Sequence, residues 1–191
     1  MAAPELKRTQ QWFTLSNGLT SMRLVAAPFF YCSIVNRFWW AACLLFWLAV
    51  ASDLIDGRLA RARSETSAFG GLLDHASDAT FVTLGQLALV KADWAPALLP
   101  VLIAAAFLQY VFDSRILAGR ALRASFLGRW NGIFYFVPPG VVVTREALGL
   151  AMPSDQIILF SGWALAVSTL ISMGHRATSV ILVAREKRAR Q

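Results

Sequence analysis

Four aspartates are the residues most able to do chemistry: Asp53 and Asp56, then Asp74 and Asp78. On a helix, Asp53, Asp56, Gly57 and Ala60 fall at i, i+3, i+4 and i+7 and share one face. Gly70, Asp74 and Asp78 fall at i, i+4 and i+8 and share a face of the next helix. A short basic stretch with Arg58, Arg61 and Arg63 joins the two and makes them antiparallel neighbours. Four carboxylates then converge at one end of the pair. Such a group repels itself and calls for one or two divalent cations. Oxygen-only ligands favour Mg²⁺ or Mn²⁺ over zinc or copper. The glycines and Ala60 leave room for a bulky ligand beside the carboxylates. Arg58 and Arg61 are placed to meet an anion on the same side.

The elements that hold these residues are apolar. Of 191 residues, 57% are hydrophobic and 15% charged. Adding the 12 glycines brings the apolar share to about 63%, against roughly 45–50% in soluble domains. This composition excludes a disordered chain, a disulfide-rich secreted module and an ordinary soluble enzyme. It indicates an all-α polytopic membrane protein. Spans of about 20 residues fit six times with room for loops. The chain reads as one membrane domain over residues 1–191.

The spans are expected at 18–35, from Phe38 to the acidic residues after Ser52, from Thr66 to about Lys91–Trp94, at 95–117, at 133–150 and at 156–183. Residues 4–16 read as a short interfacial helix with Leu6, Trp12, Phe13 and Leu15 as apolar contacts. Asn36–Arg37 marks a turn, and Pro138-Pro139 should bend the fifth span. Residues 1–11 are polar and mixed, so no cleavable signal sequence is expected.

Charge gives the orientation. The 18 Lys and Arg residues give a net charge of +7, which in a soluble protein would suit nucleic acid. Here they sit at span ends: thirteen on the side of the two termini, three on the other, two inside spans. The positive-inside rule then makes both termini and the aspartates cytoplasmic. The expected location is a bacterial inner membrane, with no nucleic-acid partner.

Carboxylates in spans are costly, each roughly 2.5–3.5 kcal/mol at a helix centre, so four in two helices are not packing residues. Metals, arginines and cleared space beside a bilayer describe a site for a diphosphate on a lipid. The matching reaction is phosphoryl-group transfer, with metal ions shielding phosphate oxygens and a carboxylate deprotonating the incoming hydroxyl.

At this point a family resemblance enters. The order Asp53-x-x-Asp56-Gly57-x-x-Ala60-Arg61-x₈-Gly70-x₃-Asp74-x₃-Asp78 resembles, at every fixed position, the signature of the CDP-alcohol phosphatidyltransferases. Eight fixed positions in 26 residues are too many for chance. Asn17-x-Leu19-Thr20-x-x-Arg23 also resembles the opening of that family's phosphatidylglycerophosphate synthases.

The resemblance implies a six-helix membrane fold, usually a homodimer, embedded among membrane lipids. It implies CDP-diacylglycerol as donor, a small alcohol as acceptor and release of CMP. By position, Asp53, Asp56, Asp74 and Asp78 would hold two Mg²⁺ or Mn²⁺ ions, and Asp78 would be the general base. Gly57, Ala60, Arg61 and Gly70 would line the CDP site. Glycerol 3-phosphate is the first expectation for the acceptor. Inositol phosphate or another alcohol stays open, because Asp74-His75-Ala76-Ser77-Asp78-Ala79 differs from the synthases' Asp-Pro-x-x-Asp-Lys. The stretches Phe112-Asp113-Ser114-Arg115 and Gly128-Arg129-Trp130-Asn131-Gly132 also differ from their counterparts.

The remaining polar residues have plainer readings to weigh. Arg115, Arg120, Arg123 and Arg129 follow the fourth span on the side of the aspartates. They suit a phosphorylated acceptor, with Arg115 and Arg129 favoured, but positive-inside loops are basic in any case. Arg23 is expected to reach up to the interface more than into the site. His75 should face away from Asp74 and Asp78. Asp113 could balance local charge or join the site, and His175 and Arg176 read as polar packing. Cys32 and Cys43 read as ordinary buried thiols, with a disulfide geometrically open. The alternative function class is an intramembrane cation transporter. It would spread acidic residues over several spans, whereas here they are concentrated in two, beside arginines. An intramembrane prenyltransferase would call for paired Asp-Asp motifs, which the sequence lacks.

Overall fold

The structure, a computed structural model, describes residues 15–63, 68–116 and 126–189; within these, side chains are described for 20–55, 71–113 and 126–179. Seven helices make up the described fold, with no strand among the described residues: α1 (Leu15–Val35), α2 (Trp39–Arg63), α3 (Ala68–Lys91), α4 (Leu98–Ile116), α5 (Phe126–Phe134), α6 (Val137–Leu148) and α7 (Asp155–Ala189). Most of the expected N-terminal interfacial helix lies outside the described residues.

Spacing explains how the helices pack. On α1, Ala27, Phe30 and Ile34 are buried at i, i+3 and i+7; on α2, Ala42, Phe46 and Ala49 are buried at i, i+4 and i+7. These stripes meet Phe81, Ala88 and Leu89 of α3, and Phe30 stacks on Phe81 at 4.6 Å between ring centroids. α3 packs against α1, α4 and α6, while α7 packs against α4, α5 and α6. At Gly140 a Cβ would stand 2.5 Å from the Phe46 ring, so only glycine lets α6 lie this close to α2.

The turn between α1 and α2 falls at Asn36–Arg37, as expected. Asn36 Nδ2 donates to the Cys32 carbonyl at 2.7 Å, and Arg37 adopts a left-handed φ of 59°. This turn sets the polarity of the bundle. The start of α1, the end of α2 and the start of α3 all lie at the opposite end.

The fifth span departs from expectation in its start and its shape. It starts at Phe126, seven residues before the expected Ile133, so Arg129 lies on a helix and not in a basic connection. Pro138-Pro139 does not bend a continuous helix. The helix stops at Phe134, and the prolines occupy the first turn of α6. Proline has no N–H to donate, and in a first turn none is required. Phe136 bonds back to the Ile133 carbonyl at 3.2 Å in a tightened turn that separates the two segments. The backbone of the basic C-terminal stretch continues α7 as far as Ala189. Both cysteines are free, as expected, but they depart from expectation in burial: Cys32 is exposed and Cys43 half-buried.

At the turn end, Arg145 is buried and ties three elements together. Its Nη1 donates to the Pro153 carbonyl at 2.7 Å and meets Asp155 Oδ1 at 2.7 Å. Its Nη2 meets Glu146 Oε1 at 2.8 Å, and the guanidinium lies 5.1 Å from the Trp94 ring centroid. Hydrogen bonds to charged groups contribute about 1.5–3 kcal/mol each, less where the partner is solvated, as Asp155 is. Arg145→Ala is therefore expected to lower the thermal unfolding midpoint of the purified protein by several degrees. An unchanged midpoint would show that this end is held by apolar packing alone.

Much of the described surface is apolar. Met22, Val25 and Phe29 on α1, Trp40 and Leu44 on α2, Val101 on α4 and Phe160 on α7 are all more than 60% exposed, far more apolar surface than a soluble monomer presents. Among the described residues one helix, within Asp155–Ser179, is long and apolar enough by itself to cross a membrane. In the same described residues, the apolar parts of α1, α2 and α4 cover Thr20–Val35, Trp39–Ile55 and Leu98–Asp113.

Candidate active site

Asp53 near the end of α2 and Asp74 and Asp78 near the start of α3 come together as their helical spacing requires. One carboxylate oxygen from each lies within 4.8 Å of the others. Their side chains are 44%, 36% and 30% exposed, so the cluster is open on one side. The side chains of Asp56, Gly57, Ala60, Arg61, Gly70 and Arg115 lie outside the described residues, as do Arg120 and Arg123 altogether. Asp56, Gly57, Ala60 and Arg61 follow Asp53 along the α2 backbone, Gly70 precedes Asp74 on α3, and Arg115 lies in the last turn of α4.

The floor of the cluster is Arg23. Its side chain is fully buried and turns inward, contrary to the expectation that it reaches the interface. Nη2 meets Asp53 Oδ1 at 3.3 Å. Nη1 donates to Asp74 Oδ1 at 3.3 Å, to Ser77 Oγ at 3.3 Å and to Asp78 Oδ1. Ser77 Oγ in turn donates to the Asp74 carbonyl at 2.9 Å. A buried cation must be paired, and here three carboxylates from two other helices pair it. The sequence held the signal. Arg23 precedes Ala27, Phe30 and Ile34 by four, seven and eleven residues and so continues the buried stripe of α1.

Three oxygen donors this close, half open to solvent and with more negative than positive charge, could hold a hard divalent ion such as Mg²⁺ or Mn²⁺. Of the four expected ligands, Asp53, Asp74 and Asp78 are thus assembled.

The other polar candidates sort themselves by helix face. His75 stacks on Tyr110 of α4, with 5.3 Å between ring centroids. Asp113 is buried and pairs with Arg176 Nη2 at 3.2 Å, and the Arg176 guanidinium lies 5.3 Å from the Tyr110 ring centroid. These contacts bind α4 to α7 and give Asp113 and Arg176 a packing role. Arg129 is exposed on α5, which packs on α6 and α7, whereas the aspartates stand on α2 and α3.

The class these features define is an α-helical bundle with an acidic, cation-accepting site at one end, built from two neighbouring helices. A sequence model of the family CDP-alcohol phosphatidyltransferase matches residues 13–174, and the chain belongs to that family. Among similar proteins is one from Wigglesworthia glossinidia brevipalpis named "CDP-diacylglycerol--glycerol-3-phosphate 3-phosphatidyltransferase". It is 35% identical over 77 residues, covering 38% of this chain and 42% of that protein. One of the same name from Cereibacter sphaeroides is 39% identical over 79 residues, covering 38% of this chain and 34% of that protein. A "Cardiolipin synthase (CMP-forming) / mitochondrial hydrolase fusion protein" from Schizosaccharomyces pombe is 28% identical over 156 residues, covering 71% of this chain and 26% of that protein. The chain spans less than half the length of each of these relatives.

Proposed function

We propose that the protein is an integral membrane transferase that moves a phosphatidyl group from CDP-diacylglycerol to a small alcohol, glycerol 3-phosphate first, and releases CMP. The observation that carries this reading is the convergence of Asp53, Asp74 and Asp78, at signature positions, with carboxylate oxygens within 4.8 Å. The names of the bacterial relatives support the donor and the acceptor.

In this reading α1, α2, α3, α4, the α5–α6 pair and α7 are six spans. Both termini and the aspartates face the cytoplasm, the exposed apolar faces meet lipid, and two copies associate. Asp53, Asp56, Asp74 and Asp78 hold two Mg²⁺ or Mn²⁺ ions, which when bound shield the diphosphate oxygens. Gly57, Ala60 and Gly70 leave space for the nucleotide, and Arg61 meets a phosphate. Asp78 takes the proton of the acceptor hydroxyl. The hydroxyl oxygen bonds to the phosphorus that carries the diacylglycerol, the bond from that phosphorus to the CMP oxygen breaks, and CMP leaves with the electron pair.

The test is to offer purified protein CDP-diacylglycerol with glycerol 3-phosphate, glycerol, inositol phosphate, serine and a lipid alcohol, and to identify each product by mass. Phosphatidylglycerol phosphate as main product supports the reading. Equal use of glycerol, or preference for serine, overturns the choice of acceptor. No lipid product with any acceptor overturns the transferase reading.

A phosphorylated acceptor needs cations, and arginine offers a planar fork for two phosphate oxygens. Arg115→Ala or Arg129→Ala is expected to raise the acceptor KM by about 10- to 150-fold, the equivalent of one lost charge-assisted hydrogen bond. The donor KM should change far less. An unchanged acceptor KM in both variants would leave these arginines as determinants of orientation only.

A further inference from the structure

We infer that Arg23 is the resident counter-cation of the carboxylate cluster. It holds Asp53, Asp74 and Asp78 together without a metal, and an incoming divalent ion competes with it for those carboxylates. The inference rests on the metal-binding reading above and adds a role for a residue outside the signature.

Three observations carry it. First, Arg23 comes from α1, a third helix, and its two terminal nitrogens divide between Asp53 of α2 and the Asp74–Asp78 pair of α3. It joins the two acidic helices at the point where their charges would drive them apart. Second, it is held in place: the side chain is fully buried, and Ser77, also fully buried, accepts from Nη1 at 3.3 Å. Third, it engages the Oδ1 atom of every described carboxylate that a divalent ion would use. Counted formally over the described residues, three carboxylates and one guanidinium carry a charge of two minus, so the cluster still attracts a divalent ion with Arg23 in place.

The sign of the effect follows from Coulomb's law. A positive charge within hydrogen-bond reach of all the ligands weakens the binding of any cation there. The same charge stabilises the metal-free fold, because without it three like charges crowd together at a part-buried site. Arg23 therefore makes the ion weaker-binding and exchangeable, while the site stays assembled when the ion leaves. Arg23 is a positioning residue: it acts on the carboxylates, not on the substrate.

The test is Mn²⁺ titration of the full chain in detergent, without substrates, reading free Mn²⁺ by electron paramagnetic resonance. Thermal unfolding without metal is measured alongside. Arg23→Gln is expected to bind Mn²⁺ at least about tenfold more tightly than wild type. It should also unfold at lower temperature without metal, and added Mn²⁺ should close that gap. Arg23→Lys should fall between the two in both readouts. Asp78→Asn should weaken Mn²⁺ binding, which locates the ion at the cluster. Should Arg23→Gln fail to fold, Ser77→Ala keeps every charge but loosens the guanidinium, and a roughly two- to threefold gain in affinity is expected. Unchanged or weaker Mn²⁺ binding in a folded Arg23→Gln, or in Ser77→Ala where Arg23→Gln does not fold, would reduce Arg23 to a packing residue and overturn the inference. Absence of Mn²⁺ binding in wild type would instead overturn the metal reading itself, and the inference with it.

Discussion

Asp78→Asn is expected to cut the rate of phosphatidyl transfer by about 10²- to 10⁴-fold, the usual cost of losing a general base. Asparagine keeps the shape of the side chain but cannot accept the proton of the acceptor hydroxyl. At saturating Mg²⁺ the donor should still bind, because Asp53 and Asp74 remain beside the vacated charge. The check is a comparison of single-turnover transfer with CDP-diacylglycerol affinity in the same preparation. A variant that keeps more than about a tenth of the rate would remove Asp78 from the role of base. A large loss of donor affinity with the rate at saturation preserved would make it a metal ligand only.

Gly57→Leu is expected to abolish donor binding at CDP-diacylglycerol concentrations that saturate the wild type. Gly57 follows Asp53 by four residues on α2 and so shares the face that presents Asp53. A leucine there would fill space assigned to the nucleotide. Leucine is a far better helix former than glycine, so the helix itself should not suffer. Circular dichroism and thermal unfolding should therefore match the wild type while binding is lost. Normal donor affinity in a folded Gly57→Leu protein would show that the space beside Gly57 is not used by the nucleotide.

Much of this site was legible in the sequence because helical periodicity is a strong rule. The spacing of Asp53, Asp74 and Asp78 fixed which faces they occupy, whereas Arg58, Arg61 and Arg63, expected in a basic link, lie on α2, which runs to Arg63. Arg23 was misjudged because a lone arginine near a span end usually reaches for water. Its place on the buried stripe with Ala27 and Phe30 outweighs that tendency once three carboxylates are there to pair it. The Asp113–Arg176 pair joins α4 to α7 across 63 positions of sequence, and local spacing carries no information about such a contact.

The fold was legible to a similar degree. The hydrophobic runs located the helices and the Asn36–Arg37 turn. They did not show whether Pro138-Pro139 would kink one helix or begin another, because both outcomes satisfy proline's missing donor. The tight turn after Phe134 is the solution adopted. The expected burial of Cys32 failed for a different reason. In a bundle with this much exposed apolar surface, a small hydrophobe can face outward as easily as inward.

The most direct measurement of the central claim is the release of CMP by the purified chain from CDP-diacylglycerol and glycerol 3-phosphate, with and without divalent metal. CMP and phosphatidylglycerol phosphate are expected in equal amounts with Mg²⁺ or Mn²⁺, and neither product after chelation. CMP release that is indifferent to chelation, or no CMP with any metal in a folded preparation, would contradict it.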